Sequence, residues 1–252
     1  MDYLKEAFGP WDWVLILVVT AMGTSMAYVH NARMKALILG LPLPFTFATL
    51  AVGMQVNSFN LSGLLLTWFF TIMVRQLHQK WKWNIFLSII LSVSFFCIAA
   101  SIGTRFVPET ELAFWGLIIF ISISALLVVK FQKLEAEPGH KTPMPLYIKV
   151  PVIFMVVLGV ILLKQELKGF VTMFPMVGVI AAYESRKSLS TMAAEIPKMI
   201  LLFIPLVIII HVSYDRLGLI GSMLAGWSVF LCILIPVTLK RIARIKSSQE
   251  LA

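Results

Sequence analysis

Nine stretches of almost unbroken apolar residues run through the chain: 11–29, 34–54, 59–78, 83–103, 111–131, 146–163, 167–184, 193–213 and 217–239. Each is close to the roughly 20 apolar residues that a helix needs to cross a bilayer. None alternates with a period of two, which excludes a closed β-barrel. In hydrocarbon a segment must satisfy its own backbone N–H and C=O groups, so the pattern predicts nine helices. The separators are short and polar: His30 to Arg33, Gln55 to Ser58, Gln79 to Lys82, Arg105 to Glu111, Lys164 to Glu166, Ser185 to Ser188 and Tyr214 to Arg216. The longest polar stretch, 132–145, is the natural boundary between two halves.

Composition narrows the class further. Of 252 residues, 60% are hydrophobic and 13% charged, whereas soluble domains carry about 25% charged residues. A soluble enzyme and a disordered chain are both excluded. The net charge of +9 does not point to nucleic acid, because no basic soluble domain exists to carry it. It reflects where the bases fall. When nine spans alternate, 16 of the 21 Lys and Arg residues lie on one side. That side is assigned to the cytoplasm, with the N-terminus outside and the C-terminus inside. Trp11, Trp13, Trp81 and Trp83 sit near predicted span ends, as interfacial anchors do. Cys97 and Cys232 lie within apolar runs and read as small packing residues. The first apolar run is too long for a secretory leader and is expected to remain as the first helix.

The segment map also overlays itself. A shift of 133 residues carries the first four segments almost onto the last four, with Lys35 on Lys168, Pro42 on Pro175 and Ala48 on Ala181. One segment, 111–131, is left between the halves. An odd linking helix inverts the second half relative to the first. The expected architecture is therefore an all-α polytopic helix bundle of about nine spans, a 4+1+4 inverted repeat. Residues 1–106 form the first four-span repeat, 107–145 the linker helix and cytoplasmic loop, and 146–252 the second repeat with a basic tail. Inverted repeats with broken helices are a recurring carrier design, with the substrate near the bilayer midplane.

In the second half, Phe174-Pro175, Ile180-Ala181-Ala182-Tyr183, Gly221-Ser222 and Gly226-Trp227 resemble the GlpM family of small four-span bacterial inner-membrane proteins. The resemblance covers about residues 150–238. The first half departs from the pattern, with Leu41 before Pro42 and no Tyr after Ala48. The family has no established molecular function. What the resemblance implies is a multi-pass protein of the bacterial inner membrane, built as a fused duplication.

Candidate functional residues are few. Pro42, Pro44 and Pro175 lie inside apolar segments, where proline removes a backbone hydrogen bond and breaks or kinks the helix. Freed carbonyls at that depth are tolerated where they are packed or line a cavity. Thr46, Thr49, Asn57, Thr172 and Tyr183 could supply polar contacts beside such breaks, and Glu184 closes the seventh segment. Arg186, Lys187, Glu195 and Lys198 complete a charge cluster assigned to the cytoplasmic face, suited to anionic lipid headgroups. No ionisable residue falls at the predicted centre of a span, so a mid-membrane coupling charge is not expected. Catalytic and metal-binding motifs are missing, and neither an enzyme nor a cofactor nor a metal is expected. The sequence thus predicts a transporter or flippase of a small solute or lipid. The alternative is a non-catalytic membrane subunit or assembly factor. Its expected surroundings are the bilayer, its anionic lipids and a second copy of the chain.

Reporter fusions after residues 106, 140 and 187 test this topology. Position 106 should report the outer side and positions 140 and 187 the cytoplasm; a reversed or mixed pattern would break the inverted-repeat reading.

Overall fold

A computed structural model describes residues 8–29, 32–132, 137 and 146–250. Every regular element among them is a helix. In chain order these are α1 (Pro10–Tyr28), α2 (Ala32–Leu39), α3 (Leu43–Val52), α4 (Ser58–Arg75), α5 (Ile85–Phe106), α6 (Glu111–Phe131), α7 (Leu146–Leu162), α8 (Lys164–Leu167), α9 (Met176–Glu184) and α10 (Leu189–Glu250). A π-helical turn, Gln76–Lys80, extends α4, and a 3₁₀ stretch, Lys168–Met173, joins α8 to α9. Four stretches are long and apolar enough to cross a membrane: Ser58–Lys80, Ile85–Phe106, Glu111–Phe131 and Leu189–Leu239. Shorter apolar helices cover Pro10–Met26, Leu37–Val52 and Val150–Gly159.

Two expected spans are not continuous helices, and the eighth and ninth are not separated by a loop. Segment 34–54 stops at Gly40 and restarts after Pro42. Segment 167–184 is 3₁₀ up to Met173, extended at Phe174 (φ −56°, ψ 134°) and α-helical only after Pro175. The cause is local. The proline ring disfavours helical geometry in the residue before it and removes the N–H that would continue the ladder. Each proline then becomes the N-cap of the helix that follows.

Segments 193–213 and 217–239 both lie within α10, whose backbone is broken only at Gly218 (φ 64°, ψ −175°). That conformation is open to glycine and costly for other residues. It reverses the chain direction: a Cβ placed on Gly226 would lie 3.1 Å from the Leu206 carbonyl oxygen and 2.7 Å from Ile210 Cγ1. The arms 189–217 and 219–250 are therefore antiparallel, and glycine lets their backbones approach closely.

The apolar interior has two parts. One gathers α1, α5, α7, the 3₁₀ stretch and α9 around Val19, Phe96, Val157 and Phe170. The other gathers α4, α6 and both arms of α10 around Leu61, Ile121, Leu206 and Phe230. The interrupted segments lie between them: Ala48 of α3 joins the first cluster and Phe45 the second, while Phe174 joins the first and Met173 the second. Connecting segments meet at two ends of the bundle. At one, Ser58 Oγ donates to Pro108 O (2.7 Å), Asn57 Nδ2 to Glu109 (3.0 Å), and Lys164 Nζ binds Asp12 (2.7 Å). At the other, Lys35 Nζ donates to Glu184 O (2.9 Å), and Ser190 Oγ donates to Gln79 Oε1 (2.7 Å). There the Thr191 N–H also donates to the Glu137 carboxylate (2.9 Å).

Replacing Gly226 with Val should push the two arms of α10 apart. The expected loss is about 1–3 kcal/mol, measured as a lower unfolding midpoint in detergent. Gly116, around which space is open, should tolerate Ala.

Candidate functional site

The two interruptions, far apart in sequence, face one another across a cavity of about 130 Å³. Leu39, Gly40, Leu41, Pro42, Pro44 and Phe45 form one wall; Thr172 to Gly178, spanning the second break, form the opposite one. Leu64, Thr67 and Thr71 of α4 and Ile196, Met199, Ile200 and Phe203 of α10 close the sides. Among the described residues, no lining side chain is ionisable. The polar groups are three threonine hydroxyls and the backbone of the breaks. The first turns of α3 and α9 both line the space, and neither start is capped by a side chain. The positive ends of two helix dipoles therefore converge on it.

An irregular backbone buried in an apolar interior must be held by hydrogen bonds. For the second break these come from α4. Asn60, 2% exposed, donates from Nδ2 to Thr172 Oγ1 (2.8 Å) and to Gly169 O (3.3 Å). Its own Oδ1 accepts from the Asn57 N–H (2.7 Å). Thr172 Oγ1 donates to Gly169 O (2.8 Å), and the Thr67 hydroxyl reaches Met173 O. Close packing supports this: a Cβ on Gly63 would lie 2.8 Å from Met173 Cβ and 3.2 Å from Phe170 O. At the first break the Thr46 hydroxyl donates to Pro42 O (2.8 Å) and accepts from Trp227 Nε1 (2.8 Å). A residue of the last arm thereby holds the start of α3.

Of the residues singled out from sequence, Pro42 and Pro44 line one wall of the cavity, and Pro175 and Thr172 line the other. Thr46 and Thr49 bond back to the carbonyls of Pro42 and Phe45 instead. Asn57 caps α4 and reaches Glu109. Tyr183 packs its ring against Phe86 (5.1 Å) with the Arg186 guanidinium over it (4.8 Å). Glu184 is buried at the end of α9, where its carbonyl accepts from Lys35. Lys198 pairs with Glu195 at 2.7 Å, and Lys187 is exposed. Tyr183, Glu184 and the charge cluster thus lie away from the cavity.

Sequence reasoning passed over Asn60, Thr67, Thr71 and Met199. A polar face on α4 at positions 60, 67 and 71, one side of a helix at near-heptad spacing, was the available signal. It also missed how deeply some charges sit. Asp12 and Lys35 are each 1% exposed. Both belong to ends of apolar segments that pack into the bundle, and each is paired: Asp12 Oδ2 with Lys164 and the Gly9 N–H, Lys35 with a helix-terminal carbonyl. Among the described residues no group of His, Cys, Asp and Glu could hold a metal ion.

Comparison with protein-family models, with curated proteins and with solved structures found no match.

Replacing Asn60 with Leu keeps the bulk but removes its bonds to Gly169 O and Thr172 Oγ1 and takes the acceptor from the Asn57 N–H. The expected cost is about 1–3 kcal/mol, read as a lower unfolding midpoint, with faster amide exchange across residues 168–175.

Proposed function

We propose that the chain is a membrane carrier of a small solute, with its binding site in the cavity between the two proline breaks. The observation that carries this reading is that Pro42 and Pro175, offset by 133 residues, face each other across one cavity. Broken helices that bring their N-termini together inside a bundle are a way to build a substrate site at membrane depth. The two sets of connecting segments, at opposite ends of the bundle, support nine crossings with the interrupted segments counted as one each. They also support a 4+1+4 order with α6 as the linker. On this reading the likeness of residues 150–238 to the GlpM family comes from a fused duplication. The bacterial inner membrane, with the basic loops in the cytoplasm, is its proposed location.

The walls describe the solute. They carry no charge to neutralise an ion pair and no carboxylate to hold a coupling cation. The cavity is smaller than the roughly 300–1,000 Å³ that takes drug-sized ligands, so a small solute suits it better than a whole lipid. The helix N-termini favour a molecule with an acceptor atom at one pole and an apolar body.

Thiol labelling distinguishes a carrier from a non-catalytic membrane subunit. With Cys97 and Cys232 replaced by Ser, Thr71→Cys should react with a membrane-impermeant thiol reagent applied from either side of sealed vesicles. Adding Pro175→Ala should slow that reaction several-fold while the protein stays folded. Labelling from neither side would reject the carrier reading and favour the subunit.

A further inference from the structure

At the end of the bundle that carries the Ser58, Asn57 and Asp12 contacts, His211 of α10 is 8% exposed and makes two polar contacts. Its Nδ1 lies 2.7 Å from Val56 O, in the segment between α3 and α4. Its Nε2 lies 3.1 Å from both carboxylate oxygens of Glu111, at the start of α6. The Phe114 ring stacks on the imidazole at 3.7 Å and 16°, and Trp115 presents an edge at 6.3 Å.

A carbonyl oxygen only accepts, so Nδ1 must carry a hydrogen. An ionised carboxylate also only accepts, so Nε2 must carry one too. A neutral imidazole has a single N–H. The pair is satisfied only when it holds one extra proton, whether that proton sits on Nε2 or on the carboxyl group. Without it, the Nε2 lone pair and a carboxylate face each other at hydrogen-bond distance and repel. With it, the cation also lies against the Phe114 face, where an aromatic ring attracts positive charge. Glu111 is 71% exposed, so the proton can exchange with the aqueous phase.

We infer that His211 and Glu111 form a proton-binding site that clamps three elements: α10, the start of α6 and the segment that follows α3. The charged neighbours do not supply a substitute. Asp215 and Arg216, one turn further along α10, are exposed. Glu109, from the α5–α6 connection, is engaged by Asn57 and lies 4.0 Å from Lys168. Residues 54–58 and the first turn of α4 contain no ionisable side chain. The sign follows from the bonding: the clamp is closed with the proton bound and weakens as pH rises. Its release frees the segment that leads out of the first interrupted helix, on the side that the basic-residue count assigns outside the cytoplasm. The inference stands without the carrier reading.

The test compares the full chain in detergent with Glu111→Gln and His211→Gln between about pH 5 and pH 8. In Glu111→Gln the new side-chain amide can donate to a neutral Nε2, so that variant should stay clamped throughout. The wild-type unfolding midpoint should fall by about 2–4 °C relative to Glu111→Gln as pH rises. Over the same range, exchange protection of residues 53–58 should be lost in the wild type and kept in Glu111→Gln. His211→Gln should resemble the high-pH wild type at every pH. Parallel profiles for wild type and Glu111→Gln, or loop protection in the wild type that does not change with pH, would overturn the inference.

Discussion

A backbone buried among apolar side chains has no water to bond, and every N–H and C=O there must find a partner within the protein. The architecture of this chain turns on how that requirement is met at two places where proline ends a helix. At the second break, α4 supplies the partners: Asn60 and Thr67 hold the carbonyls of Gly169 and Met173. At the first, Thr46 folds back onto Pro42 O and is itself held by Trp227. Without these bonds, neither interruption could persist in the interior. Because of them, two irregular backbones can stand opposite each other with space between.

The charges obey the same rule in a stricter form. Taking an ion out of water costs several kcal/mol unless a partner compensates. Three buried ions sit toward segment ends with a partner: Asp12 with Lys164, Glu195 with Lys198, Lys35 with the last carbonyl of α9. The cavity itself is left free of charge. Its electrostatics come from helix ends and hydroxyls, which suits the proposed small-solute site. His211 is the exception in kind, because its contacts depend on a proton that the solvent can supply.

Much of this was legible in sequence, for identifiable reasons. Proline acts through local sterics, so Pro42 and Pro175 announced the breaks without any knowledge of neighbours. Glu195 and Lys198, three apart on one helix, were bound to share a face. Less was readable where a residue acts on a distant one. Asn60 and Thr67 look like ordinary polar positions of an apolar helix until Gly169 and Met173 are placed beside them. Tyr183 and Glu184 were drawn into the candidate site by closeness in sequence to Pro175. A nine-residue helix carries them to its far end instead, because α9 rises about 1.5 Å per residue away from the break.

The apolar pattern by itself determined that the chain is helical and suited to a membrane, since hydrophobicity and backbone self-satisfaction are local properties of a segment. The prolines determined where two of those segments must stop. Only the tertiary structure decided that the two stops face each other, that α10 turns back on itself at Gly218, and that His211 meets both Val56 and Glu111. Those contacts join residues far apart in the chain, or depend on one glycine's dihedral angles. Their geometry is set by the packing of helix against helix, and no single stretch of sequence contains it.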